Sequence, residues 1–261
     1  MRIKTFIIAL VATCAFLTPV AAQDQQSPYA NDLTRRAYEK AFQVFQDATN
    51  VHYEHKEEVA KDQVRFDDQS CIARNDCSGF VSYVLHAVSP KHYAEVRAEQ
   101  PRRPYPQASA YEHFLHTRAS DQPDRGWLRV ASIRDLRAGD IIAWAKPNQG
   151  KGNTGHVMIV AQPPDAVKSE VVEGQRLRYV PVLVIDSSSV RHFEPEQLPP
   201  HASQSERDGL GQGEVRVIVD DNDRPIGYWE GTYWGEGHKE IHHPSMTDSI
   251  AFGRLIPFSD Q

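Results

Sequence analysis

The chain has 261 residues, 40% of them hydrophobic, with 29 Lys and Arg against 35 Asp and Glu and a formal charge of -6. That length and composition suit a soluble globular protein of one large domain or two small ones. No arginine-rich stripe or polybasic run occurs, which argues against nucleic acid and anionic membrane surfaces as partners.

Met1–Ala22 reads as an export signal. Arg2 and Lys4 form a positive start, Phe6–Leu17 an apolar stretch, and Val20-Ala21-Ala22 a small-residue cleavage site that leaves Gln23 first. The apolar stretch is short for a bilayer, and no later one is long enough. The mature protein is therefore expected to be exported, periplasmic or secreted, without stable membrane insertion. Loss of Arg2 and Lys4 takes the formal charge from -6 to -8. Cys14 raises a rival, a lipid anchor. Thr13 is large for that cleavage position and more apolar residues follow, so plain secretion is favoured.

Gln23–Ala30 is polar and expected to fray. From Asn31 onward, Leu33, Ala37, Ala41, Phe45 and Ala48 fall on one face and predict an amphipathic helix ending near Asn50. Residues 51–74 are polar and mixed in charge, a long approach to the next element. Within them Tyr53 either packs or reaches the cysteine that follows.

Asn75–Leu85 reads Asn-Asp-Cys-Ser-Gly-Phe-Val-Ser-Tyr-Val-Leu. Asp76 is a good N-cap, and Phe80, Val81, Val84, Leu85 and Val88 recur at helical spacing, so a buried helix starts at about Cys77. A sulfur at a helix N-terminus feels a partial positive charge that favours thiolate, beside unpaired amides that can bind an oxyanion. The alternatives are a cysteine that merely packs, or a Cys71–Cys77 disulfide, which export permits and which would silence thiol chemistry.

Ser89–Pro106, rich in proline and charge, reads as an insertion. A short helix follows at Ala108–Thr117, and then a turn at Ala138-Gly139. Strands are predicted at Asp140–Ala145, Gly155–Ala161 and Pro181–Ser187, with a loop over Gln162–Arg178. Val190–Gly213 reads as a second polar insertion. Glu214–Asp220 and Pro225–Trp229 alternate as strands around an Asp221-Asn222-Asp223 turn, which lacks the spacing of a calcium loop. Ala251–Pro257 is a last strand. Helices first and antiparallel strands after predict an α+β fold, with the helices on a sheet of about five or six strands.

A cysteine nucleophile needs a base and a group that orients the base. His156 opens an apolar strand after a flexible loop, at a sheet edge, and is the candidate base. Asp186 ends the next strand, where an apolar run turns ionisable, and is the candidate orienter; Ser187 or Ser188 is the alternative. His238, Glu240, His242 and His243 resemble a metal cluster but lack the zinc-protease pattern, since Lys239 follows the first histidine. His52, His55, His86, His92, His113, His116, His192 and His201 stand in no comparable context.

Asp76-Cys77-Ser78-Gly79-Phe80-Val81, then Arg137-Ala138-Gly139-Asp140-Ile141-Ile142, then Gly155-His156-Val157-Met158-Ile159-Val160 resemble, in that order, the NlpC/P60 family of cell-wall cysteine peptidases. The resemblance runs from about Asn75 to Ser188. It implies a papain-like fold, with Cys77 as nucleophile, His156 as general base and a third polar residue matching Asp186. It implies hydrolysis of peptidoglycan stem peptides, often at the D-γ-glutamyl–diaminopimelate bond, without metal or organic cofactor. The chain departs from the family in the long spacing between Cys77 and His156, in an aspartate where histidine is frequent, and in lacking a wall-binding repeat. Two other functions compete: an inactive module that holds wall peptides, and an amidase or acyltransferase acting outside the wall.

Overall fold

The computed structural model describes residues 27–67, 70–146, 153–172, 174–192, 208–229 and 245–258. The stretch expected to be an export signal, Cys14 within it, and the His238–His243 cluster lie outside them. The architecture is α+β.

Helix α1 spans Asp32–Asp47. Asn31 caps it reciprocally with Thr34: the Thr34 amide donates to the Asn31 side chain at 3.0 Å and the Asn31 amide to Thr34 Oγ1 at 3.1 Å. The helix stops short of Asn50 because Ala48–His52 is taken by a strand, β1. The approach to the cysteine is likewise structured. Strands β2 (Val64–Phe66) and β3 (Cys71–Arg74) complete a three-stranded sheet in the order β1-β3-β2, with β1 parallel to β3. Strands of three to five residues are too short to show a period in the sequence; backbone pairing decides them.

Helix α2 spans Cys77–Val88 and is buried nearly all round. Ser89–Pro106 holds helix α3 (Pro90–Arg97), and α4 (Ala108–His116) follows. Tyr93, Val96, Phe114 and Leu115 from these two join the core around α2.

Among the described residues the main sheet has nine strands, more than the five or six expected. The further strands are β4 (Trp127–Arg129), β5 (Ile141–Ala145), β6 (Gly155–Val160), β7 (Lys168–Val172), β8 (Gln175–Ser188), β9 (Gly209–Val219), β10 (Pro225–Trp229), β11 (Ser245–Met246) and β12 (Ile250–Leu255). The order is β11-β10-β9-β8-β6-β5-β12-β4, with β7 paired to β8. The expected loop at Gln162–Arg178 is in part the β7–β8 hairpin, and Gly209–Gly213, expected to be loop, begins β9. Residues 193–207 of the second insertion lie outside the described residues.

Alternation along the strands divides the core in two. Ile141, Ala143, Val157, Ile159 and Ile185 face the helices. Ile142, Trp144, Met158, Val160, Val182 and Val184 face a second cluster with Val217, Tyr228 and Phe252. The sheet curls around this second cluster, because Trp144 of β5 stacks on Tyr228 of β10 at 4.1 Å although β9, β8 and β6 lie between them in the sheet order. Gly139, two residues before β5, has φ +87, where a side chain would strike the Thr34 carbonyl. Next to it the fully buried Asp140 is held by Arg254 at 2.7 and 2.9 Å. Gly139 thus lets α1 approach the sheet closely, and the Asp140–Arg254 pair ties the start of β5 to β12.

Candidate active site

Asp76 caps α2 through its Oδ1, which accepts from the Gly79 amide at 2.7 Å. Cys77 is the first helical residue, and its sulfur stands at the helix tip with little exposure, 4%. Among the described residues the amides of Cys77 and Ser78 are left without a hydrogen-bond partner, as the first-turn amides of a helix are. Ser187 of β8 pins the tip by donating its hydroxyl to the Asn75 carbonyl at 2.7 Å.

Residue-by-residue pairing between β6 and β8 is confined to Ile159↔Ile185 and Val160↔Val184. Past that point side chains take over: His156 Nε2 meets Asp186 Oδ2 in a very short contact. The same imidazole lies close enough to the Cys77 sulfur for the two to interact. The sequence-selected residues Cys77, His156 and Asp186 are therefore in one place, with the imidazole between sulfur and carboxylate. Trp144, opposite His156 in the β5–β6 register, has its ring 5.5 Å away.

Burial works against a charged His156. Interaction with Cys77 and the hydrogen bond to Asp186 outweigh it and raise the pKa of the imidazole well above its ordinary value. Burial also opposes the Asp186 charge. His192 and His156 overcome it, so the carboxyl titrates below its ordinary range. Asp186 is fully buried, and it ionises only because imidazoles surround it.

The site contains three residues that had no distinguishing sequence context. His192 places Nδ1 at 2.9 and 3.0 Å from the two oxygens of Asp186. His55 Nδ1 lies 2.8 Å from Asp76 Oδ2, and the Tyr105 hydroxyl donates to that oxygen at 3.1 Å. The Ser78 hydroxyl donates to Asp76 Oδ1 at 3.0 Å. Both oxygens of Asp76, beside the helix tip, are thus tied up by neighbouring side chains and the Gly79 amide. No local signal marks His192 or His55, since neither lies on a periodic element. Burial holds the Tyr53 phenol proton in place, with Cys77 and Asp76 adding to the effect.

Cys71 and Cys77 are both free thiols. Ser188 is buried at the end of β8, and Ser187 is spent on Asn75, so Asp186 is the residue of β8 that meets His156.

His156, Asp186 and His192 are also the one set among the described residues whose donor atoms, all within 4.8 Å, suit a metal ion. Each of those atoms is already engaged by another of the three, so the set is satisfied as a hydrogen-bonded chain. A cavity of about 270 Å³ beside Asp76 is lined by His55, Lys56, Arg103, Tyr105 and Gln107. A larger one, about 410 Å³, is lined by Arg129, Arg137 and Arg254 and shares no residue with the site.

Searches of protein-family models, of curated proteins and of solved structures return no match to this chain. Among the described residues no helix is long and apolar enough to cross a membrane.

Proposed function

We propose that this protein is an exported cysteine hydrolase of papain-like, NlpC/P60-like design that cleaves an amide bond in peptidoglycan stem peptides. The observation that carries the reading is the imidazole of His156 set between the Cys77 sulfur and the Asp186 carboxylate. An imidazolium beside a sulfur at a helix tip is the arrangement of an activated thiolate.

The thiolate attacks the amide carbon, and the carbonyl electron pair moves to oxygen. The Cys77 amide receives that oxyanion, and the Tyr53 hydroxyl is a candidate second donor because burial keeps it protonated. Collapse breaks the C–N bond while His156 gives its proton to the leaving amine. Neutral His156 then takes a proton from water, which attacks the thioester and releases the acid and the thiolate. No step calls for a metal or organic cofactor. The cavity beside Asp76, walled in part by Arg103–Gln107 of the first insertion, receives the substrate. The D-γ-glutamyl–diaminopimelate bond is the expected target, on the motif resemblance.

Digestion of purified sacculi with the mature protein and with Cys77→Ala tests the reading. The wild type is expected to release muropeptides cut at one amide, seen by mass spectrometry, and C77A none. Equal release by both proteins refutes it.

A further inference from the structure

The reading above leaves unexplained a second imidazole buried behind the carboxylate. His192 is 2% exposed, and it is reached six residues past Asp186, after β8 has ended at Ser188. The chain returns closely. Gly211 of β9 is the backbone partner of Asp186, and a Cβ on Gly211 would lie 1.9 Å from the His192 carbonyl oxygen. Only a bare α-carbon lets residues 191–192 lie flat on β9 and bring the ring back to Asp186. An ionised carboxylate only accepts, so Nδ1 of His192 carries the proton, and it spans both oxygens at 2.9 and 3.0 Å.

We propose that His192 is a positioning residue: its bifurcated Nδ1–H donation locks the Asp186 carboxylate in the orientation that places Oδ2 on His156. The inference rests on the thiolate–imidazolium reading of Cys77 and His156. Without His192 the carboxylate is free to turn about its terminal torsion, and the imidazolium loses its best partner. The titratable groups facing the chain are Cys77 and Asp76 at the tip of α2, Tyr53 after β1, and Tyr105 on the Asp76 carboxylate. His192→Asn, His192→Gln and His192→Leu leave all of these in place. Asparagine puts an N–H close to the position of Nδ1, glutamine carries it one methylene too far, and leucine has none.

The test is the rate of Cys77 alkylation by iodoacetamide, from about pH 4 to about pH 9, in the intact mature protein. Trypsin separates the two thiols, because Arg74 lies between Cys71 and Cys77; mass spectrometry then follows the Cys77 peptide alone. No wall substrate is involved. In the wild type the thiolate is expected to persist into mildly acidic solution. H192L and H192Q are expected to move its acid limb upward by about one pH unit, making alkylation about tenfold slower near pH 5, and H192N to stay near the wild type. Should H192L not fold, the H192N–H192Q pair carries the comparison.

A limb unmoved in H192L and H192Q overturns the proposal. So does a limb moved downward, which is the result if His192 only drains charge from Asp186. H192N as slow as H192Q at an equal melting temperature overturns it too. If wild-type Cys77 reacts like an ordinary thiol, the function proposed above falls with it. An activated wild type beside unmoved variants removes the role of His192 alone.

Discussion

Cys71 and Cys77 are six positions apart, free and almost equally buried, at 2% and 4% exposure. Their surroundings differ in kind. Cys71 lies on β3 under α1, where burial and then Asp47 push its thiol up to about 11, against a small opposing pull from Lys40. Cys77 heads α2, with His156 against its sulfur and Asp186 behind the ring. Burial alone makes a thiol inert. A helix tip and an imidazole that can hold a proton are the surroundings that activate a thiol, and on the proposed function Cys77 has both.

The sharpest way to break this contrast is chemical. At about pH 6 Cys77 is expected to alkylate at least about a thousandfold faster than Cys71, and peptide-resolved mass spectrometry gives both rates in one experiment. Comparable rates erase the distinction. Cys71→Ala is expected to keep full hydrolysis and to cost about 1–2 kcal/mol of stability, read from denaturant unfolding.

Asp186→Asn comes next in size. An amide in place of the carboxylate takes the charge from His156 and lets the ring settle in the wrong tautomer. Hydrolysis at neutral pH should fall by about 10²–10⁴-fold with the fold retained, as circular dichroism would show. Undiminished activity in D186N means that the carboxylate does not orient the base.

The pH dependence of stability is a smaller effect. His156 is raised, so its contribution is complete below the unfolded value of about 6.5 and is lost as pH climbs through the folded value. Asp186 is lowered, so its contribution is complete above about 3.9 and is lost as pH falls through the folded value. Both are present together from about pH 4 to about pH 6.5, and the melting temperature should be highest there. D186N should flatten the curve on both sides; identical curves contradict the coupling.

The smallest expected effect is none at all. Dialysis against EDTA should leave Cys77 alkylation unchanged, since His156, Asp186 and His192 satisfy one another by hydrogen bonds. A rate altered by EDTA and restored by zinc would make the three a metal site instead.

Much of the site is legible wherever local chemistry writes it. Asp76 caps α2 as its position before an apolar helical run requires, and that run sets Cys77 at the tip. His156 and Asp186 sit at strand ends where apolar runs become polar, and they meet there. Asp140, in the second motif block, turns out to be an anchor for Arg254 rather than part of the chemistry. His55 and His192 are invisible at that level, one in an irregular segment and the other beyond a strand end. The size of the sheet is missed for a related reason, since β4, β7 and β11 are too short for their residues to show a strand period.

Local patterning, then, determines the helix tip, the cysteine it carries and the two strand ends that answer it, because caps and periodicity act over a few residues. The curl that stacks Trp144 on Tyr228, the return of His192 over Gly211 and the donors gathered on Asp76 are decided by tertiary structure. A buried carboxylate must find donors wherever folding brings them, and that choice depends on distances across the folded chain that no run of neighbouring residues encodes.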